Sequence, residues 1–185
     1  MKKQFGKTIT FALLVSFFVL CVSTTNVVAS GKPDKNAAIN QAYPEAVDEV
    51  LETFMAIGAS IVAGAGHGYY GEFMDELISY HAYGDKFTEF NDGHSFGSAG
   101  NEHNERHLFG EVLEEGGVIQ FAAKPGTLKV AVYYGNVANV TFVSDFILKP
   151  VGGDEFTVNN QISILFVKTK GKWKIVHEHH SPSCE

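Results

Sequence analysis

Three histidines and a glutamate fill four consecutive positions near the C-terminus: His177, Glu178, His179 and His180. Imidazole titrates near neutral pH and burial raises the pKa of a carboxyl group, so Glu178 and His180 are candidates for an acid/base pair. In a regular strand, alternate side chains share a face. One face would carry Val176, Glu178 and His180, and the other Trp173, Ile175, His177 and His179. The alternative is that Glu178 and His180 only meet solvent.

The second face offers a candidate metal site, because His177 and His179 would point to the same side of the strand. Zinc usually takes three or four protein ligands. Further ligands would have to come from His94, His103 or His107. The run His-Asn-Glu-Arg-His at 103–107 lacks the second-position glutamate of the zinc protease motif. We therefore predict no bound metal, and we expect His177 and His179 to form hydrogen bonds across a dimer face.

A glycine-rich run at residues 66–71, Gly-His-Gly-Tyr-Tyr-Gly, has the spacing of a dinucleotide-binding loop. That loop works only inside a βαβ unit. Here a helical pattern precedes the run and antiparallel strands are predicted downstream. The run therefore predicts a helix end that permits tight packing, with Tyr69 and Tyr70 near the mouth of a pocket. No cofactor is predicted.

The N-terminus is typical of an export signal. Lys2, Lys3 and Lys7 are followed by an apolar stretch over residues 11–22, and small residues before position 30 allow cleavage after Ala29. The stretch is too short to span a bilayer comfortably, although an uncleaved membrane anchor is the alternative. We predict an exported protein, periplasmic or secreted, with a signal peptide over 1–29 and a flexible leader over 30–43.

Charge and cysteine content exclude several classes of function. The 185-residue chain has a formal net charge of −7. Loss of the three N-terminal lysines makes it −10. Because like charges repel, the mature protein is a poor candidate for binding nucleic acid or an anionic membrane surface. Cleavage also removes Cys21, and Cys184 alone cannot form an intrachain disulfide.

The remaining chain reads as one domain over 44–181 with a short tail over 182–185. Pro44 begins a helix with an apolar stripe that ends in a glycine run. Further helices are predicted over 70–81 and 101–115, and an edge strand over 83–90. From Gly117 the apolar period changes to two. The predicted strands cover 118–124, 127–134, 137–149, 156–169 and the segment after Gly171.

Helices followed by antiparallel strands predict an α+β fold. We expect a cone, formed by a curved antiparallel sheet wrapped around the N-terminal helix. The order of elements resembles that of the nuclear transport factor 2-like superfamily. The terminal run from Gly171 to Ser181 is similar to the last strand of the SnoaL-like branch, and to the end of the calcium/calmodulin-dependent kinase II association domain. The resemblance implies a cone-shaped pocket, a dimer, and either enzymatic or non-enzymatic function.

The residues that the resemblance transfers are few. The ketosteroid isomerase branch implies an aspartate base near Phe90, and the adjacent Glu89 would then point to the opposite face. The second acid of that branch falls near Ser163. The pocket arginines of the association domains fall on Ser144, Ile164 and His180. An anion-binding pocket of that kind is therefore not expected.

We predict first that the protein binds a small, largely apolar molecule in the cone, and that it forms a homodimer through the sheet. The alternatives are a proton-transfer enzyme, isomerase- or cyclase-like, that uses His180 or Glu178 as base, and a non-catalytic oligomerisation module. Tyr80, His81 and Tyr83 are expected at the pocket rim, where they could orient a polar group of the ligand. The remaining lining is predicted to be Phe142, Ser144, Phe146, Ile162, Ile164 and Phe166.

Overall fold

The computed structural model describes residues 41–183, which form three α-helices and eight strands. The helices are α1 (Pro44–Gly64), α2 (Glu72–Ser79) and α3 (Ser98–Glu105), and α3 continues as a π-helical segment over Arg106–Val112. The first four strands are β1 (Thr88–Asn91), β2 (His94–Phe96), β3 (Leu113–Ala123) and β4 (Lys129–Tyr133). The last four are β5 (Val137–Pro150), β6 (Phe156–Val158), β7 (Asn160–Thr169) and β8 (Lys172–Pro182).

The predicted signal peptide over 1–29 lies outside the described residues, and so does most of the leader. Within residues 41–183, none of the helices combines the length and apolar character needed to cross a membrane.

Helix α1 forms where the sequence places a helix start and an apolar stripe. Pro44 occupies the first turn, where its missing N–H costs no hydrogen bond, and Glu45 meets the positive end of the helix. Val50, Ile57 and Ile61 are buried at helical spacing. The stripe packs against the sheet, and removing it from water drives the docking of the helix.

The sheet has the strand order β2-β1-β8-β7-β5-β3, with β4 and β6 also paired to β5. Most pairs are antiparallel, but β1 runs parallel to β8. Alternation in β5 and β7 turns one face toward α1. The buried members of that face are Ala138, Val140, Phe142, Ser144, Ile162, Ile164 and Phe166. These features confirm the predicted α+β fold, a curved sheet over an N-terminal helix.

Three predicted elements differ from the structure. The edge strand predicted over 83–90 begins only at Thr88 and ends at Asn91. The predicted helix over 101–115 is α3 plus the π-helical segment, and the chain is already a strand at Leu113, which pairs with Pro150. The predicted strand over 156–169 is divided between β6 and β7. The hydroxyl of Ser144 donates to the Val158 carbonyl and accepts from the Asn160 N–H, so a side chain takes the place of backbone pairing at the break.

Glycines position α3 and the π-helical segment against the end of α1. The Gly66 N–H donates to the Phe109 carbonyl at 2.9 Å, and the Gly68 N–H donates to the Gly110 carbonyl at 2.7 Å. A Cβ atom at Gly110 would overlap the carbonyl group of Gly68. The glycine-rich run therefore serves close backbone packing, as the sequence predicts.

Replacing Gly110 with alanine should destabilise the domain by about 2 kcal/mol, because the clash is with backbone that cannot rotate away. Urea denaturation of both proteins measures the change. Gly58→Ala is the matched control, since a Cβ at Gly58 in α1 meets only Phe121 at an ordinary 3.5 Å. The control should be as stable as the wild type or up to about 1 kcal/mol more stable. Equal stability of both variants would contradict the backbone contact.

Candidate functional site

A β-bulge in β8 decides which side chains of the terminal strand face the interior. Phe166 pairs with Ile175 and Leu165 pairs with His177, so Val176 has no partner of its own. The extra residue changes the alternation by one position. Trp173 and Ile175 therefore share the inner face with Glu178 and His180, and the strictly alternating faces expected from the sequence are wrong across Val176.

A second glutamate lies beside Glu178 on the neighbouring strand. In the parallel pair of β1 and β8, Glu89 lies opposite Glu178 and Asn91 lies opposite His180. Glu89 is 2 % exposed, whereas Phe90 is 49 % exposed on the outer face. This orientation is the reverse of the one expected from the resemblance, because Phe87 and Glu89 together form the inner face of this segment.

The amide of Asn101 joins the two carboxylates. Its Nδ2 donates to Glu89 Oε2 at 3.0 Å and to Glu178 Oε2 at 3.1 Å, and its Oδ1 accepts from the Tyr83 hydroxyl. Asn101 is fully buried on α3. Both hydrogens and the oxygen of the amide are thus engaged, which fixes its orientation. Asn91 Nδ2 donates to the other oxygen of Glu89 at 3.0 Å.

His81 follows α2 and forms a buried pair with Glu178. Its Nδ1 lies 3.2 Å from the Leu77 carbonyl oxygen, which can only accept, so Nδ1 carries a hydrogen. Its Nε2 lies 3.4 Å from Glu178 Oε2, an ion-pair distance without the alignment of a hydrogen bond.

Glu178 favours the ionised form. Burial alone would raise its pKa, but the contact and positive charge of His81 oppose burial. The charge of His180 and the amide of Asn101 act in the same direction. The pKa of Glu178 is therefore below its ordinary value. Within residues 41–183 no hydrogen bond to Glu178 Oε1 is found, so this oxygen is free to accept a proton.

Glu105 favours the opposite form. Burial, and then the negative charges of Glu178 and Glu89, raise its pKa well above the ordinary value. Tyr83 remains a hydrogen-bond donor, because burial raises the pKa of its hydroxyl too. The pKa values of two carboxyl groups in one cluster are thus shifted in opposite directions. We name Glu89, Glu105 and Glu178, together with His81, Tyr83, Asn101 and His180, the acidic cluster.

The neutral form of Glu105 gives a testable pH dependence. A raised pKa means that Glu105 favours folding most below its unfolded-state pKa, and that this contribution disappears as the pH rises through the folded-state value. Glu105→Gln should therefore be more stable than the wild type at pH 8, by about 1 kcal/mol or more, and equally stable near pH 4. Urea denaturation at both pH values tests this. A variant less stable at pH 8 would contradict a neutral Glu105.

The predicted site residues fall into separate environments. Glu178, His180 and Tyr83 belong to the acidic cluster. The predicted apolar lining residues lie next to the acidic cluster on the neighbouring strands of the sheet. Glu178 lies opposite Ile164, and His180 lies opposite Ile162. Ile162 in turn lies opposite Phe142. Phe142 packs on Phe54 of α1 and on Phe146, with ring centroids at 5.1 and 6.4 Å.

The other predicted residues are engaged elsewhere. Ser144 is fully buried and bound to backbone at the break between β6 and β7. Phe166 is also fully buried in the core beside Ile175. Tyr80 donates to Glu76 and lines a surface depression of about 490 Å³ between α1, α2 and the turn before β8.

The remaining histidines lie away from the acidic cluster. His177 and His179 flank Phe90 on the outer face, and Nδ1 of His177 lies 2.8 Å from the Thr88 hydroxyl. His103 and His107 stack on the helical surface with ring centroids 5.7 Å apart. In the part of the chain that the structure describes, no three His, Cys, Asp or Glu side chains are grouped to hold a metal ion.

Sequence reasoning missed three members of the acidic cluster: Glu89, Asn101 and Glu105. For Glu89 a signal existed, since Phe87, Glu89 and Asn91 alternate with more exposed neighbours. His81 was predicted at the pocket rim, together with Tyr80 and Tyr83. Asn101 and Glu105 lie four residues apart on one helical face, but nothing in the spacing shows that this face covers Glu178.

Comparisons with known proteins agree with this geometry. The model of the SnoaL-like domain family matches residues 74–185. No curated protein matches the chain at a significant level. Among solved structures, a nuclear transport factor 2-like superfamily protein from Salmonella enterica serovar Typhimurium is 17 % identical, with a TM-score of 0.61, and the alignment covers 78 % of this chain and 95 % of that one.

Two further solved structures resemble the fold. A candidate dehydratase of the same superfamily from Streptomyces avermitilis is 17 % identical with a TM-score of 0.60, over 77 % of this chain and 100 % of that one. A candidate calcium/calmodulin-dependent kinase II association domain from Xanthomonas campestris is 18 % identical with a TM-score of 0.55, over 74 % and 87 %. At these identities the likeness concerns the fold.

Proposed function

Because the chain belongs to the SnoaL-like family, whose model matches more than half of its length, we propose that it is a proton-transfer enzyme acting on a small molecule at the acidic cluster. Glu178 is the base and accepts the proton at Oε1. Glu105 is the acid and donates to an oxygen of the substrate. His81 keeps Glu178 ionised, and Asn101 fixes its orientation.

The observation that carries this proposal is that two buried carboxyl groups, Glu89 and Glu178, share the amide donor of Asn101, and that His81 contacts Glu178. Burial alone would raise the pKa of Glu178, but His81 lowers it, whereas burial and negative neighbours raise the pKa of Glu105. Two carboxyl groups whose pKa values are separated in this way can serve as base and acid in one step.

Access to the cluster is provided by its partly exposed members. Tyr83, Glu105 and His180 are half-buried, whereas Glu89, Asn101 and Glu178 are buried. The side chain of Glu178 retains 7 % exposure. A small substrate would reach Glu178 Oε1 past the half-buried side chains, where displaced water strengthens the interaction between charges.

Ligand binding without turnover is the second candidate. It is favoured by the apolar rows that begin at the cluster, because Ile162 and Ile164 lie directly opposite His180 and Glu178. Such a row would hold the apolar body of a ligand while the carboxyl groups hold its polar end. The proposed enzyme needs the same rows, so turnover is what separates the two candidates.

The test is the ring opening of nitrobenzisoxazole, in which a base removes the ring C–H proton, the N–O bond breaks and a coloured nitrophenolate forms. The reaction requires no cofactor and reports on any accessible carboxylate base. Wild-type protein should accelerate it above the rate with free acetate at equal concentration, and the acceleration should depend on Glu178. A rate equal to that with acetate would contradict the proposal and leave the binding candidate.

The proposal includes export with cleavage after Ala29, and a homodimer formed through the outer face of the sheet, where Phe90 is exposed between His177 and His179. The exported mature chain is identified by N-terminal sequencing of secreted protein. The mass in solution, measured by light scattering, tests the dimer.

A further inference from the structure

We infer that α3 is a polar lid over the acidic cluster, and that its N-terminal end detaches from the rest of the domain to admit the substrate. The inference rests on the proposed function, because it concerns access to the same site. It is carried by the composition of α3, by the contacts that hold its two ends, and by the burial of the groups beneath it.

Most of the acidic cluster is closed off from solvent. Glu89 is buried, and the side chain of Glu178 is 7 % exposed. Two of the half-buried side chains at the entrance depend on α3, because Glu105 belongs to the helix and Tyr83 donates to Asn101 on it. Movement of α3 would widen this entrance, and its return would bring Glu105 back to the bound substrate.

Helix α3 lacks an apolar stripe. Its sequence over 98–105, Ser-Ala-Gly-Asn-Glu-His-Asn-Glu, contains no apolar side chain larger than alanine, and Ala99 is exposed. Of its eight residues, Asn101 alone is buried, whereas the equally long α2 buries Met74 and Leu77. Most helical stability in proteins comes from packing of an apolar face. We therefore expect α3, which is held mainly by polar contacts, to open at a lower free energy than its surroundings.

The C-terminal end of α3 is fixed by Arg106. This side chain is 8 % exposed, and it donates to Asp75 at 2.8 Å, to Glu102 at 3.0 Å and to the Tyr69 carbonyl at 3.2 Å. The helix changes from α to π geometry at Arg106, and Phe109 in the π-helical segment is buried. Because the hydrogen-bond pattern changes where the chain is anchored, the hinge of the lid lies at Arg106.

The N-terminal end of α3 is held less firmly. The Ser98 hydroxyl accepts from the Gly84 N–H and donates to the Gly84 carbonyl, both at 2.9 Å, and we name this pair of hydrogen bonds the Ser98 latch. It lies at the exposed surface, where water competes for the same groups. The N-cap residue is Gly97, which has no side chain to bind the first N–H groups of the helix. Release of the latch would let α3 turn about its anchored end, away from the two carboxylates.

Hydrogen exchange at urea concentrations below the unfolding transition tests whether α3 opens by itself. The amides of residues 101–105 should be at least about a hundredfold less protected than those of Ile162 and Ile164 in the central strand β7. They should also be less protected than the amides of residues 76–79 in α2, the matched helix. Because a local opening exposes little surface, exchange in α3 should not respond to urea, whereas exchange in β7 should accelerate with it.

Ser98→Ala removes the latch and should raise the exchange rates of residues 101–105 about fivefold, since two hydrogen bonds at the surface are lost. Alanine is the better helix former, so faster exchange would not come from a lower helical propensity. The control is Thr169→Ala, which removes an exposed hydroxyl at the end of β7 and should leave exchange in α3 unchanged. Because the apparent affinity follows the population of the open state, kcat/KM for ring opening should rise in Ser98→Ala by a similar factor.

Exchange in α3 with the same urea dependence as in β7 would overturn the lid, whatever the ring-opening assay shows. Faster exchange in Ser98→Ala with an unchanged kcat/KM would overturn the role of the lid in admitting the substrate. Absence of ring opening in the wild type overturns the proposed reaction, and the exchange data alone then decide whether α3 opens as a lid.

Discussion

Glu178→Gln should lower the rate of nitrobenzisoxazole ring opening by about a hundredfold or more, while the protein stays folded. Glutamine keeps the shape of the side chain and still accepts a hydrogen bond from Asn101, but it cannot take up a proton. The loss should appear in kcat, with little change in KM, because the proton is transferred only in the transition state.

The pH dependence of the same reaction separates the two carboxyl groups. Base catalysis requires ionised Glu178, so the rate falls as the pH drops through its lowered pKa, below the ordinary range of a glutamate. Acid assistance requires protonated Glu105, so the rate also falls as the pH rises through its raised pKa. The profile should be bell-shaped, and Glu105→Gln should remove the alkaline limb.

The matched control for Glu178→Gln is Asp145→Asn, which neutralises an acid on the outer face of β5 and should retain full activity. A Glu178→Gln rate within threefold of the wild type would show that the observed base lies elsewhere. Circular dichroism and urea denaturation of each variant confirm that the comparison is between folded proteins.

Asn101→Ala should destabilise the protein by about 3 kcal/mol at pH 7, a large effect for one side chain. The change removes both donors that hold Glu89 and Glu178 and leaves the Tyr83 hydroxyl without its acceptor. Buried groups that lose their partners cannot regain them from water, so the full cost of desolvation appears in the free energy of unfolding.

This loss should depend on pH with a defined sign. Donors to a carboxylate lower its folded-state pKa, and the stability they contribute is present above the unfolded-state pKa and lost as the pH falls through the folded value. The deficit of Asn101→Ala should therefore shrink toward pH 4. Asn104→Ala, on the same helix, is the control and should change stability by less than about 0.5 kcal/mol. An Asn101→Ala deficit below about 1 kcal/mol would contradict the buried network.

The fold was predictable where the pattern of apolar residues was long and regular. Helix α1 follows its stripe and its N-terminal proline, and β5 follows its alternation over fourteen residues. The family resemblance is confirmed, and it rested on the terminal strand. The helix over 101–115 was not correctly predicted, because the contact of Gly110 with Gly68 is a tertiary feature that helical propensity does not contain.

The site was only half predictable for a similar physical reason. Glu178 and His180 stand out because they share a short motif on one strand. Their partners come from β1, the end of α2, and α3, so 77 residues separate Asn101 from Glu178. The second obstacle was the choice of which alternate side chains of β1 point inward. The resemblance placed Phe90 on the inner face and therefore Glu89 on the outer face, although Phe87, two residues before Glu89, is buried. Contacts between distant segments have no local periodicity.

Because Val176 has no pairing partner in β7, we expect β8 to tolerate the deletion of this residue. Five positions separate Trp173 from Glu178, an odd number that regular alternation would place on opposite sides of the sheet. Deleting Val176 would shorten the interval to four and still leave the carboxylate pointing inward, because the irregularity would vanish together with the residue that causes it. Homologues with either spacing can therefore present the same inner surface, and their alignment requires a gap at this position.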